Sequence, residues 1–181
     1  MNYLTGYSIS VAEIVQDGDQ ILRKAAQLVP PKDIGSSRLM RIIKEMKAAL
    51  AKEEHGVALA APQIGVGLRL FIVSKKVFAD AHVTTEDGTP PQDDLVFINP
   101  EITRRSRKIN RVSEGCLSVR GIFGMARRHD KVTVKAYNEK GERFVWNGSG
   151  LMAQIFEHEA DHLDGVLFID HAEDLTGEDK S

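Results

Sequence analysis

The sequence predicts an α+β fold, in which short antiparallel strands pack around a central helix containing the pattern H-E-x-x-H, with a second helix nearer the N-terminus. Apolar residues recur at helical spacing in two substantial stretches, 38–54 and 151–168. Several shorter runs between them have the β-branched or alternating composition of strands. A few short strands around two helices are typical of the α+β class.

Length and composition predict a single domain over residues 1–181, with a loose arm at 1–13 and a frayed, acidic tail at 171–181. The formal net charge of -2 does not predict sequence-specific binding to nucleic acid or binding to an anionic membrane. The chain has no apolar run near the roughly eighteen residues of a membrane span, and its start lacks the pattern of a leader peptide. We therefore expect a cytoplasmic protein. Its one cysteine, Cys116, excludes an internal disulfide.

The first third of the chain contains the second helix. Residues 14–29 predict a short extended piece, a turn at 17–18 and a short helical segment that ends before the prolines at 30–31. Residues 38–54 predict the helix, with Ser36 or Ser37 as its cap. Its apolar stripe at helical spacing predicts core packing and consists of Leu39, Ile42, Ile43, Met46, Ala49 and Leu50.

The middle of the chain supplies the strands. Strands are predicted at residues 68–73, 95–98, 101–107, 131–137 and 142–146. The pair at 95–107 is joined at Asn99-Pro100, and the last two strands form a hairpin. Residues 78–94 are polar and predict a surface excursion. The basic residues at 104–108 indicate a solvated strand and turn, with a phosphate or ribosome contact as the alternative.

The stretch 151–168 carries His158, Glu159 and His162 in the order H-E-x-x-H, and we expect it to form a helix. Residues four apart on a helix lie one turn above each other, so both imidazoles can bind one divalent metal ion. Glu159 then lies beside the open coordination position, which is a hydrolytic arrangement. The alternative is a helix with two partly exposed histidines and a solvated glutamate.

A catalytic site of this kind needs a third protein ligand and one open position for water. Downstream candidates are Asp164, Asp170 and His171, none of which lies in a recognised pattern. Cys116, within the stretch EGCLS, is the upstream candidate, because a thiolate suits ferrous, zinc or nickel ions.

Three stretches resemble the motifs of the peptide deformylase family, whose members remove the N-formyl group from nascent polypeptides. They are GVALAAPQ at residues 56–63, EGCLS at 114–118 and HEADHLDG at 158–165. Weaker likeness extends the resemblance over roughly residues 14–170. The order and spacing of three separate motifs make the resemblance specific.

The resemblance implies a role for each matching residue. The metal ligands would be Cys116, His158 and His162, holding one divalent ion that we expect to be Fe²⁺, with Zn²⁺, Ni²⁺ or Co²⁺ as alternatives. Glu159 would be the general acid and base, which formamide hydrolysis needs in order to carry a proton from water to the leaving amine. Gln63 and the backbone N–H of Leu117 would donate to the developing oxyanion.

The resemblance also implies an N-formyl-methionyl peptide as substrate, with the ribosome as a transient partner. The peptide would lie along the stretch 56–58 and Gly115, with its methionine side chain in an apolar pocket. The residues predicted to bind it are Gly56, Val57, Ala58, Gly115, Val112, Leu151, Gln154 and Ile155. Taken singly, Val112 and Ile155 are equally well explained as core residues.

Polar residues around the motifs suggest supporting roles. Glu114 resembles a family carboxylate that pairs with a later arginine, for which Arg128 is the candidate. Asp161 is either a carboxylate that orients a metal-bound imidazole or a helix-surface residue.

The chain departs from the family pattern at Gly18, Ala58, Arg120 and Glu157. Ala58 places a methyl group where the backbone normally approaches the ligand. Glu157 adds a negative charge that either strengthens metal binding or faces solvent. None of these positions is a predicted ligand or base, so the expected activity is unchanged.

Two further functions fit part of this pattern. A metallopeptidase or amidase of another class would use the same metal chemistry on unformylated peptides, but the EGCLS stretch and Gln63 argue against it. A non-catalytic domain that binds metal or the ribosome would have no need of Glu159.

Overall fold

The computed structural model describes residues 12–81 and 91–177, with side chains described to residue 78 in the first range. The predicted α+β class is confirmed. Two antiparallel sheets and two main helices occupy these ranges. Most of the predicted arm at 1–13, and residues 82–90 of the predicted surface excursion, lie outside the described residues. The single domain over 1–181 stays a prediction.

The larger sheet has five strands in the order β1-β2-β3-β6-β7, and every neighbouring pair is antiparallel. Its strands are β1 Ala58–Ala60, β2 Leu70–Val73, β3 Leu95–Arg105, β6 Lys131–Tyr137 and β7 Arg143–Ser149. The smaller sheet has the order β4-β5-β8, with β4 Ile109–Cys116, β5 Val119–His129 and β8 Glu173–Gly177. The predicted hairpin corresponds to β6 and β7.

Successive side chains of a strand point to opposite faces of its sheet. The larger sheet therefore has two apolar faces, and a helix covers each of them. Helix α1, Ser37–Lys52, packs with Leu70 and Ile72 of β2. Helix α3, Leu151–Leu163, packs with Phe71 and Val73 of the same strand. Helix α3, which carries the H-E-x-x-H pattern, therefore packs on an apolar face of the sheet. Ser36 caps α1 through a hydrogen bond from the Leu39 N–H, as its sequence predicts.

Helix α3 lies close to the sheet because of a glycine. A Cβ atom at Gly148 would lie 2.7 Å from the Phe156 ring. The Phe156 ring packs in turn against Phe97 of β3, with ring centroids 5.3 Å apart. The helix starts directly after Gly150, which has φ 54° and ψ -125°. This backbone conformation is accessible mainly to glycine.

Three local predictions need correction. The strands predicted on either side of Asn99 form one strand, β3, because β3 pairs with β2 or β6 on both sides of this residue. The strand is irregular at Asn99, which adopts φ 50° and whose side chain bonds the backbone of Val29. The surface excursion at 78–94 begins within a short helix, α2 Lys76–Ala81, whose Phe78 is buried. The tail expected to fray at 171–181 contains β8, which pairs with β5 and whose Asp174 and Glu173 contact Arg111.

Candidate metal centre and active site

Helix α3 and the end of β4 bring three metal-ligand side chains together. His158 and His162 lie one turn apart on the helix, with ring centroids 4.9 Å from each other. Cys116, at the end of β4, places its Sγ 3.2 Å from His162 Nε2. One ligand atom from each residue lies within 4.8 Å of the others. Of the candidates for third ligand, the structure therefore brings Cys116 to the two histidines.

The cluster fits a divalent metal ion. Metal bonds of about 2.1 Å to nitrogen and about 2.3 Å to sulfur place ligand atoms roughly 3–4 Å apart, as Sγ and Nε2 are here. One thiolate and two imidazoles form a three-ligand set that leaves a coordination position open. We therefore treat Cys116, His158 and His162 as the residues that would hold the ion.

Glu114 orients His158. Its Oε2 lies 3.1 Å from His158 Nδ1, so the opposite ring nitrogen, Nε2, is left to face the metal position. Arg128 holds Glu114 in turn, donating from Nε to Oε1 at 2.7 Å and from Nη2 to Oε2 at 3.0 Å. Burial alone would raise the pKa of Glu114, but hydrogen bonds from His158 and Arg128 outweigh burial and lower the pKa to about 2. The predicted pairing of Glu114 with Arg128 is confirmed.

Asp161 does not contact either metal histidine. Its Oδ2 accepts from Arg128 Nη1 at 2.7 Å and lies 3.2 Å from His171 Nε2. Asp161 therefore reaches His158 only indirectly, through Arg128 and Glu114, and Glu114 makes the contact that the sequence allowed for Asp161. The sequence could not show this difference, because Glu114 comes from a strand 44 positions away from His158.

Glu159 is buried beside the ligands. Only 3% of its surface is exposed, and its Oε2 has no hydrogen-bond partner among the described residues. Burial raises the pKa of Glu159 to about 7, because an ionised carboxylate loses its hydration there. A buried carboxylate without a fixed partner is available to accept and donate a proton. The alternative of a solvated helix-surface glutamate is wrong for this residue.

The amide of Gln63 points its N–H groups toward the ligand cluster. Its Oε1 accepts from the Ala60 N–H at 2.8 Å, which leaves Nε2 facing Ser118 Oγ at 3.2 Å and Cys116 Sγ at 3.6 Å. Gln63 lies in a 3-10 helix, Ala61–Ile64, directly after β1. Leu117 lies in the tight connection between β4 and β5, next to Cys116.

A cavity of about 600 Å³ is lined by Gln63, Cys116, Leu117, His158 and Glu159. Seven of the eight residues predicted to bind the peptide line it, namely Gly56, Val57, Ala58, Gly115, Leu151, Gln154 and Ile155. Val112 is not among its lining residues, and its role in binding the peptide stays a prediction. Gln154 Nε2 donates to the Ser113 carbonyl at 2.8 Å, which connects α3 to β4 along the cavity wall.

The cavity also contains residues that sequence reasoning missed. Phe123, 45% exposed, pairs with Gly115 across β4 and β5, and a Cβ at Gly115 would lie 2.7 Å from its ring. Arg120 donates two hydrogen bonds to Glu53, at 2.7 and 3.1 Å, which joins the two cavity walls. The alternation of apolar and polar residues over 109–129 is too irregular to predict the two strands whose pairing places Phe123 opposite Gly115.

Glu157 neither faces solvent nor contacts the metal ligands. It is 6% exposed and lies on another side of α3, where its Oε1 accepts from Arg105 Nε at 2.9 Å and lies 2.7 Å from His129 Nδ1. Its Oε2 accepts from the His129 N–H at 2.8 Å. Neither expectation for Glu157 is therefore correct.

Known proteins resemble this chain over most of its length. A sequence model of the polypeptide deformylase family matches residues 11–178. The chain is 38% identical over 166 residues to peptide deformylase 1A, chloroplastic/mitochondrial, of Arabidopsis thaliana, covering 90% of this chain and 61% of the relative. It is 33% identical over 162 residues to peptide deformylase 2 of Clostridium acetobutylicum, covering 90% and 95%. The chain spans about 60% of the length of the plant relatives from Arabidopsis thaliana and Solanum lycopersicum.

Solved structures show the same fold. The peptide deformylase of Thermotoga maritima matches with a TM-score of 0.76 and 32% identity, covering 90% of this chain and 98% of that chain. A peptide deformylase from Synechococcus elongatus in complex with actinonin matches with a TM-score of 0.75 and 30% identity, covering 90% and 79%. With Gln63, Cys116, His158 and Glu159 lining one cavity, these similarities establish that the chain belongs to the polypeptide deformylase family.

Proposed function

We propose that this protein is a metal-dependent hydrolase that removes the formyl group from N-formyl-methionyl peptides and releases formate. The observation that carries the proposal is the position of the buried, unpartnered Glu159 Oε2 beside the cluster of Cys116, His158 and His162. Membership of the family supports the choice of a formamide as substrate.

A divalent ion held by the three ligands would act as a Lewis acid and make water nucleophilic at neutral pH. Glu159 takes the proton of the attacking water and passes it to the amine nitrogen that leaves, so one carboxylate serves as base and then as acid. Its burial favours this role, because a carboxyl with a pKa of about 7 can both accept and donate a proton near neutral pH.

Gln63 and Leu117 stabilise the charge that develops on the former formyl oxygen. The Gln63 amide is held by the Ala60 N–H, and its Nε2, which donates to Ser118 Oγ and Cys116 Sγ, lies beside the ligand cluster. Fixed donors of this kind are each worth about 3–4 kcal/mol in related hydrolytic chemistry. The apolar residues Val57, Leu151 and Ile155 line the part of the cavity where we place the methionine side chain.

Formate release from formyl-Met-Ala-Ser tests the proposal, with unformylated Met-Ala-Ser as the control. We expect formate from the first peptide and no cleavage of the second. Cleavage of the unformylated peptide would indicate a peptidase. A metal-loaded protein that cleaves neither would indicate a binding domain.

We further propose Fe²⁺ as the native ion, with Zn²⁺, Ni²⁺ or Co²⁺ as alternatives. The mixed thiolate and imidazole ligand set supports an ion from this group. Elemental analysis of protein purified without oxygen should find about one iron per chain, and the iron protein should lose activity in air faster than its nickel form, because Cys116 is a thiol that oxygen can oxidise at an iron site. One zinc per chain, or equal lifetimes in air, would contradict iron.

Two expectations remain predictions: a transient contact with the ribosome, which the family resemblance implies, and a cytoplasmic location, which the sequence analysis predicts. Among residues 12–81 and 91–177, no helix is long and apolar enough to cross a membrane.

A further inference from the structure

A short N-terminal segment, residues 14–17, contacts both stretches that carry the proposed oxyanion donors. The Val15 N–H donates to the Gln63 carbonyl at 2.9 Å, and the Asp17 N–H donates to the Ser118 carbonyl at 2.8 Å. Between them, the Gln16 side-chain amide donates to the Leu117 carbonyl at 3.0 Å. Three consecutive residues therefore join the Gln63 stretch to the connection between β4 and β5.

The segment is itself anchored. Gln16 Nε2 also donates to the Ile14 carbonyl at 3.1 Å, which restricts where the amide can point. Asp17 accepts from Arg23 at 3.1 Å, and Arg23 donates to Asp170 at 2.6 Å. These contacts connect the segment to the stretch that follows α3. Gln16 is exposed, but its amide bonds two carbonyls and the backbone N–H groups of its two neighbours are hydrogen-bonded.

We propose that Gln16 is a positioning residue for the oxyanion site, an inference that rests on the proposed function. Only two rotatable bonds, φ and ψ, separate the N–H of a residue from its own C=O. A fixed Leu117 carbonyl therefore restricts the direction of the Leu117 N–H. Oxyanion donors stabilise the transition state only when they are held in place before reaction.

Gln16 acts through Leu117 and does not touch the reacting atoms. It is not among the residues that line the catalytic cavity. Among the described residues, its side-chain amide donates to the carbonyls of Ile14 and Leu117. Its loss should therefore lower the turnover number kcat and leave KM and bound metal unchanged, because ground-state binding of the peptide does not depend on a fixed oxyanion donor.

Amide hydrogen exchange tests the positioning role without relying on activity. Gln16→Ala should raise exchange at Leu117 and Ser118 by about 3- to 10-fold, the effect of losing one hydrogen bond. Exchange within α3 should stay unchanged. Gln20→Ala, which changes an exposed glutamine in the nearby 3-10 helix Gln20–Arg23, is the matched control and should change neither. Unchanged exchange at Leu117 and Ser118, or an equal rise throughout α3, would overturn the inference.

Kinetics with formyl-Met-Ala-Ser supply the second readout. Gln16→Ala and Gln16→Glu should each lower kcat by about 3- to 10-fold with KM within about twofold of the wild type. Gln16→Lys keeps N–H donors on a long side chain and should restore most of kcat. A kcat equal to that of an active wild type in both Gln16→Ala and Gln16→Glu would overturn the positioning role. A wild type that releases no formate would instead refute the proposed function, and hydrogen exchange alone would then decide whether Gln16 fixes Leu117.

Discussion

Glu157 and Glu159 are buried carboxylates two positions apart on α3, and their surroundings are opposite. Both oxygens of Glu157 have partners, since Arg105 and His129 contact Oε1 and the His129 N–H reaches Oε2. Glu159 Oε2 has no hydrogen-bond partner among the described residues, although Glu159 is the more buried of the two, at 3% against 6%.

The difference distinguishes Glu157, a carboxylate with a structural role, from Glu159, a carboxylate suited to proton transfer. A buried charge that is paired and hydrogen-bonded connects elements, here α3 to β3 and to the end of β5. A buried carboxyl that lacks such partners has an unfavourable ionised form, and sites that use proton transfer tolerate this cost. Substitutions at the metal ligands and at the two glutamates test this contrast.

Removing a proposed metal ligand should abolish metal binding at the site beside Glu159. Cys116→Ser and His162→Ala each leave two of three protein ligands, so each should lose the stoichiometric metal and with it the formate release. Elemental analysis after dialysis measures the loss. A variant that keeps one tightly bound metal per chain would refute the assignment of that ligand.

Replacing Glu159 by Gln should stop catalysis and leave the site assembled. The amide keeps the size of the carboxyl but cannot act as a base, so turnover should fall by at least about 10²-fold, the lower end of general acid and base catalysis. Metal content and binding of a formyl-methionyl peptide should stay close to wild type. If the variant deformylates within a few-fold of the wild type, or loses its metal, Glu159 is not the base.

Replacing Glu157 by Ala should affect stability more than chemistry. The change leaves Arg105 and the His129 N–H without their partner, which we expect to lower the free energy of unfolding by about 2–3 kcal/mol. The melting temperature should fall by about 4–10 °C in a chain of this size. Formate release per metal-loaded, folded chain should stay within a few-fold of wild type, and a loss as large as that of Glu159→Gln would remove the contrast between the two glutamates.

Replacing Glu157 by Gln is the matched control and should have the smallest effect. The amide oxygen can still accept the His129 N–H, but the amide nitrogen then replaces Oε1, so the ion pair and the hydrogen bond with Arg105 are both lost. Because Arg105 is 47% exposed, the free energy of unfolding should fall by only about 1 kcal/mol. Thermal melting of the Gln and Ala variants side by side measures the difference. Equal destabilisation by both would assign the effect to the contact with Arg105 rather than to the His129 N–H.

Short-range patterns carried the sequence predictions that succeeded. The spacing of His158 and His162 requires only that residues four apart lie on one side of a helix. Ser36 caps α1 through the next turn, and the hairpin of β6 and β7 follows from alternation around a short connection. Each feature depends on neighbours within a few residues.

Failures occurred where a partner is distant or where pairing defines the element. β8 has an exposed, acidic sequence with little strand character, and its structure comes from pairing with β5 and from contacts with Arg111. Phe78 looked like the start of a polar excursion, yet it is buried in the cluster on the α3 side of the larger sheet.

Residue patterns alone predict the α+β class and the H-E-x-x-H helix, and the family resemblance names the candidate ligands. The folded chain is needed to show that Glu114 rather than Asp161 contacts His158, that Glu157 faces Arg105 and His129, and that Gln16 reaches Leu117. All of these contacts depend on residues far apart in the sequence. A hydrogen bond depends on distances of about 3 Å between atoms, and strand pairing and helix packing set those distances for residues that lie 28 to 101 positions apart.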